Sequence, residues 1–340
     1  MPIYQDSLNP FYNNSMNLFK YYFRTGKVSD VNIQLSKGYS TFSYNIGLGY
    51  YTEKGVLKNT GFSRVNLIGN FNLRPFDKLE ANFRMYIART GRDRSSYDML
   101  VSGFSQGVEL EQIPSQLLEY STVLPGPGSK VFQEAIKLYD EIKEKNETYR
   151  LRGSFDLSYE IVKGLKLKSS VAADISLQYQ NLFMPSNLDE YNETYSNGQH
   201  NRTQMLLNEN LITYKHSFRN KHNIDLLAGL SYQMDQKDDI GGWGKAAPSN
   251  LIQYVPWAGN AYDTENKRQL KDFKTSMERS TLMGIFGRVN YNYLQKYLFS
   301  FTFRRDGSSK FGENVRWGSF PSIALGWTIS DEKFMDWSRR

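Results

Sequence analysis

Hydrophobic and polar residues alternate along most of this chain with a period of two, in stretches of about ten residues. From Thr41 to Tyr51, residues Phe42, Tyr44, Ile46, Leu48 and Tyr50 fall on one face, against Ser43, Asn45, Gly47 and Gly49 on the other. From Tyr149 to Ile161, Leu151, Gly153, Phe155, Leu157, Tyr159 and Ile161 oppose Arg150, Arg152, Ser154, Asp156, Ser158 and Glu160. From Leu165 to Tyr179, Leu165, Leu167, Val171, Ala173, Ile175, Leu177 and Tyr179 oppose Lys166, Lys168, Ser170, Asp174, Ser176 and Gln178. Successive side chains of a strand point to opposite faces. The pattern therefore predicts strands near 29–36, 40–52, 63–74, 79–89, 148–161, 165–180, 204–218, 223–233, 280–293, 297–306 and 319–330, about eleven in all. The stretch from Asn208 to Tyr214 does not settle its own facing.

The connections between these strands sort by length. Those at 37–39, 75–78, 162–164, 219–222 and 294–296 are tight turns, while 53–62, 90–147, 181–203, 234–279 and 307–318 are long. Strict short–long alternation puts every turn at one end of the sheet and every loop at the other, as in transmembrane barrels. Greek-key connections of a soluble sandwich do not sort this way. Within 90–147, Pro125-Gly126-Pro127-Gly128 reads as a turn and Ser129 as the N-cap of a helix through about Glu144. Phe132, Ala135, Ile136, Tyr139 and Ile142 form its apolar stripe.

An alternating strand needs something to cover its apolar face. Here the opposite face carries Arg150, Arg152, Asp156, Glu160, Lys166, Lys168 and Asp174, which could not fill a dry core without large desolvation costs. The consistent arrangement is apolar-out and polar-in: an antiparallel transmembrane β-barrel wall, with closure pairing every backbone group.

Composition alone points elsewhere until the pattern is known. Apolar residues are 39% of the 340, mean hydropathy is −0.59, and no run approaches the roughly 18 apolar residues of a spanning helix. The first residues, Met1-Pro2-Ile3-Tyr4-Gln5-Asp6, do not read as a signal peptide. Aromatics, however, reach 15%, with 24 Tyr and 21 Phe, which suits the interfacial girdles of membrane barrels. The chain has no cysteine, removing disulfides, thiolate metal sites and cysteine nucleophiles together. The net charge of +7 comes from bases interleaved with acids, a poor match to nucleic acid.

Tyr297-Leu298-Phe299-Ser300-Phe301-Thr302-Phe303-Arg304-Arg305-Asp306-Gly307-Ser308-Ser309-Lys310-Phe311-Gly312, then Arg316-Trp317-Gly318-Ser319-Phe320-Pro321-Ser322 and Gly326-Trp327, resembles the strand–loop–strand signature of SusC/RagA-type TonB-linked outer-membrane receptors. Phe23-Arg24-Thr25-Gly26, Asn32 to Gly38, Gly49-Tyr50-Tyr51, Asn208-Glu209-Asn210, Ala228-Gly229 and Gly287 to Tyr291 are similar to the same family, in its order. The resemblance implies a barrel of about 22 strands in the outer membrane of a Gram-negative bacterium, importing glycans or peptides. It also implies a SusD-like lipoprotein as partner and energy from the TonB complex, with no cofactor. On this reading residues 1–340 are a partial barrel domain, without the plug, N-terminal accessory domain or C-terminal barrel strands. A passive porin-like or structural barrel is the alternative function.

No set of residues points to catalysis or a metal. His216 and His222 flank a turn, but no carboxylate or cysteine completes a coordination set. Asp235, Asp238 and Asp239 lack the spacing and closing Glu of a calcium loop. Asp306-Gly307-Ser308-Ser309 joins two strands rather than opening a helix, so it reads as a structural turn. Trp243, Tyr254 and Trp257 place aromatics in a Gly- and Pro-rich connection, where they are candidate contacts for ligand or partner. Packing within the loop is the plainer reading of all three.

Overall fold

The computed structural model describes residues 23–56, 58–93, 141–188, 192–219, 221–255 and 261–338. Eleven antiparallel strands form one sheet, each strand pairing with its neighbour in the chain. They are β1 (Lys27–Gly38), β2 (Phe42–Lys54), β3 (Gly61–Phe76), β4 (Leu79–Asp93), β5 (Lys143–Val162), β6 (Leu165–Met184), β7 (Tyr195–Phe218), β8 (His222–Lys245), β11 (Lys271–Tyr293), β12 (Tyr297–Ser308) and β13 (Trp317–Trp327). A two-residue hairpin, β9 (Tyr262–Asp263) with β10 (Arg268–Gln269), stands apart from the sheet. Among the described residues the sheet does not close: β1 and β13 each pair on one side only.

The eleven expected strands are all present, and short turns alternate with long connections throughout. Strands run further than expected at the long-loop end. β7 starts at Tyr195 and β8 continues to Lys245, so Gly241-Gly242-Trp243 is strand rather than loop. Of the helix expected over 129–144, residues 129–140 lie outside the described residues, and Lys143 and Glu144 already belong to β5.

Register assigns every side chain to a face, because directly paired residues point the same way. One row crosses the whole sheet: Lys37, Tyr44, Phe71, Phe83, Phe155, Val171, Asn208, Tyr232, Met283, Gly307 and Trp317. Its face also holds Phe42, Ile46, Leu48, Leu151, Leu157, Ile175, Phe299 and Phe301, and none of these apolar residues is buried. A soluble sandwich would bury that set between two sheets; among the described residues no second sheet covers it.

The aromatic residues at the turn end of this face lie on a line oblique to the strands. From Tyr159 on β5, pairing leads through Leu167, Ile212, Ala228 and Gly287 to Phe303 on β12. The turn-end aromatic of β12 is instead Tyr297, six residues nearer the turn after five strand steps. At ~3.4 Å per residue and ~4.8 Å between strands, a level belt with this stagger requires a strand tilt of about 40°. That is the tilt of membrane barrels. Tyr149 and Tyr159, the upper and lower aromatics of β5, are ten residues apart, which at that tilt is about 26 Å of height, the thickness of a barrel's apolar band.

Candidate functional site

The opposite face is charged, and its charges are paired across strands. Arg150 donates to Asp174 at 2.9 and 2.7 Å, and Arg152 to the same carboxylate at 2.9 and 2.8 Å. Asp156 accepts from Arg84 and Ser170 and lies 3.4 Å from Lys168. Lys215–Asp225 at 3.1 Å and Lys310–Glu278 at 3.1 Å continue the pattern, and Arg304 pairs with Asp306 at 2.7 Å along β12 itself. Most of these bases keep roughly half of their side chain in solvent, so each pair contributes only ~0–1 kcal/mol. Their consequence is chemical. This face is wettable from turn to rim.

The strand whose facing was open in the sequence, β7, is resolved by its pairing. Leu206, Asn208, Asn210, Ile212 and Tyr214 share the apolar face, and Met205, Leu207, Glu209 and Leu211 the charged one. Both faces are mixed because Leu211 belongs to an apolar patch on the otherwise polar side. It packs there against Gly229 and Phe286, where a Cβ added to Gly229 would come within 2.4 Å of the Phe286 ring. On the lipid-side face, Asn210 accepts from Ser169 at 2.8 Å and donates to Asn208 at 2.7 Å, which satisfies much of their polarity internally.

At the long-loop end of the polar face, β7, β8 and β11 form a groove of about 530 Å³. Asn197, Gln199 and Asn201 line it from β7, with Lys237 and Trp243 from β8 and Asp272 from β11. Trp243 stacks on the buried Tyr195, ring centroids 6.4 Å apart and planes at 27°. Met184, the cross-strand partner of Tyr195, is buried too, as is Thr194, next to Tyr195 in the chain, while Phe183 is buried on the other face. Arg268 ties the two neighbouring connections together, bonding Glu193 at 2.6 Å and Asp263 at 3.3 Å. In the β9–β10 hairpin, the Asn266 side chain and the backbone N–H groups of Asn266 and Glu265 hold the Asp263 carboxyl down to about 2.

The structure separates the three aromatics singled out in the sequence. Trp243 is on the polar face, in the groove. Tyr254 is 68% exposed on a segment fixed to the other face, where Asn181 donates to the Gln253 carbonyl at 3.2 Å. Trp257 lies outside the described residues. The groove's amides escaped sequence reading because 181–203 read as loop; the recurrence of Asn197, Gln199 and Asn201 at every second position was the available signal.

The remaining candidates disperse. His216 stacks on Tyr214 at 5.9 Å and meets Phe218 edge-on at 4.2 Å, while His222 bonds the Tyr291 hydroxyl at 2.7 Å, so both belong to the turn-end aromatic belt. Asp235 and Asp239 face the polar side and Asp238 the other, so the three do not converge. Asp306 to Ser308 are part of β12. There Trp317 packs over Gly307, where a Cβ would meet its ring at 2.8 Å, and Arg305 sits over the same ring at 5.5 Å.

These features define the class: a section of an antiparallel transmembrane β-barrel wall, apolar on one face and charged on the other. Its likeness in sequence is to SusC/RagA-type receptors. The chain is 26% identical over 328 residues to TonB-dependent receptor P3 of Formosa agariphila, covering 92% of this chain and 31% of that protein. It is 24% identical over 341 residues to TonB-dependent receptor SusC of Bacteroides thetaiotaomicron, covering 92% and 32%. Among solved structures, the RagAB peptide transporter matches with a TM-score of 0.73 at 20% identity, over 95% of this chain and 36% of that one. The ferric preacinetobactin receptor BauA of Acinetobacter baumannii matches at 0.53 and 11% identity, over 90% and 45%. No family model matches the chain. The chain thus spans about a third of the length of the curated relatives it matches.

Proposed function

We propose that these strands are part of the barrel of a TonB-dependent importer that takes up glycans or peptides through the outer membrane, with a SusD-like lipoprotein over the long-loop end. The observation that carries this reading is a single apolar face of bilayer height backed by a continuous charged face, in a chain resembling about a third of SusC. The amide-rich groove with Trp243 lies on the charged face at the rim, where a polar ligand entering from outside would meet the wall first. Amide side chains and an aromatic plane suit both sugars and peptide backbones. TonB coupling and the plug belong to segments of the whole importer beyond these strands.

The test is uptake by the complete receptor in its own bacterium. Deleting its gene should abolish growth on one glycan or peptide source, and collapsing the proton-motive force should stop accumulation by the wild type. Accumulation that persists without that force would instead support the passive, porin-like barrel.

A further inference from the structure

The apolar face ends differently at its two ends. Following the same stagger of about one residue per strand away from Tyr149, the face meets Lys27 on β1, Lys54 on β2, Arg89 on β4, Arg202 on β7, Arg279 on β11 and Arg305 on β12. All six lie within about three residues of one level, on the face that holds Val171 and Phe155. At the turn end, the strand positions of that face carry Tyr159, Tyr214, Tyr293, Tyr297 and Trp327, with Lys37 the one Lys or Arg among the described strand residues. The collar of bases therefore belongs to one side of the membrane, the side of the long loops.

The collar is underneutralised. Lys27 and Lys54 are directly opposite one another, an arrangement that repels. Arg279 reaches only the Met234 sulfur, at 2.9 Å, and Arg305 only the face of Trp317. Among the described residues none of these four forms an ion pair. Arg89 bonds Glu147 at 2.6 Å and Arg202 lies 3.9 Å from Asp238; among the described strand residues those two acids and Asp93 are the counter-charges on this face near the collar. Phosphate is the anion whose oxygens best accept from several such donors at once.

We propose that this collar binds the phosphate groups of anionic lipid headgroups in the leaflet at the long-loop end. The inference rests on the apolar face meeting lipid. Arginine and lysine beside the end of an apolar band sit at headgroup depth, and a level ring of them selects anionic lipid without any pocket.

The test uses the complete barrel containing these strands, purified in detergent, with two probes: bisphosphorylated lipid A and the same lipid enzymatically dephosphorylated. Native mass spectrometry should show the wild type retaining the phosphorylated lipid at least about tenfold more than the other. Lys54→Gln combined with Arg279→Gln and Arg305→Gln should erase that preference, while Arg288→Gln on the polar face should keep it. Equal retention of both lipids by the wild type would overturn the collar and leave the lipid-facing wall intact. Retention of neither would overturn the wall reading, and the collar with it. Should the triple variant fail to assemble, the wild-type comparison still decides.

Discussion

Val171 and Ala172 are neighbours in the chain and opposites in environment. Val171 lies midway along the apolar face of β6, in the row with Phe155 and Asn208, and Ala172 faces the charged side with Leu207. An arginine on the lipid face at mid-depth costs ~2–4 kcal/mol in barrels, whereas a lumenal one is close to neutral. Val171→Arg should therefore destabilise the complete barrel by ~2–4 kcal/mol in denaturant unfolding from vesicles, and Ala172→Arg by less than ~1 kcal/mol. Asp156 offers the complementary case. Its carboxylate serves Arg84, Lys168 and Ser170 while its side chain is only 9% exposed. Asp156→Ala strands those donors and should cost ~1–3 kcal/mol by the same measurement.

Among the elements, the strands were legible where they cross the bilayer and illegible above it. Leu165 begins β6 as the alternation predicts, but β7 starts nine residues before the expected 204. The reason is visible on its outer face, where His200, Arg202 and Gln204 precede the apolar Leu206. Once strands leave lipid, both faces become polar and the period-two signal disappears, although backbone pairing with β6 and β8 continues. The groove around Trp243 is built from that part, where the hydrophobic alternation is silent and only the recurrence of Asn197, Gln199 and Asn201 at every second position marks the strand. Trp243→Ala in the complete receptor should weaken ligand uptake and leave barrel assembly intact; unchanged growth on the cognate nutrient would reduce Trp243 to a packing partner of Tyr195.

The β9–β10 hairpin gives a pH dependence of definite sign. Asp263 titrates lower when folded than when free, so it stabilises the hairpin above the free carboxyl's range near ~4 and loses that contribution as pH falls toward about 2. Hydrogen exchange over 261–270 should stay slow at pH 4 and quicken between pH 3 and about 2. Asp263→Asn should flatten this response.

For the molecule as a whole, single-layer architecture is the governing fact. A sheet with one lipid-side face and one wet face has little core of its own, and outside the bilayer its β1 and β13 edges, each paired on one side only among the described residues, are templates for further pairing. Made alone, the 340 residues should collect in inclusion bodies and give no heat-modifiable band; a monodisperse soluble monomer would be incompatible with the account.

The central claim is that the face carrying Leu151, Val171 and Ile285 meets lipid and the face carrying Arg152, Ser170 and Gly284 does not. These strands contain no cysteine, so single spin-labelled cysteines can be placed at each of the six positions in the complete barrel, reconstituted in vesicles. The account predicts collisions with oxygen at the first three, collisions with a water-soluble nickel chelate at the others, and a reversal at every step along a strand. Labels on both faces reporting water alike, with no period of two, would contradict it.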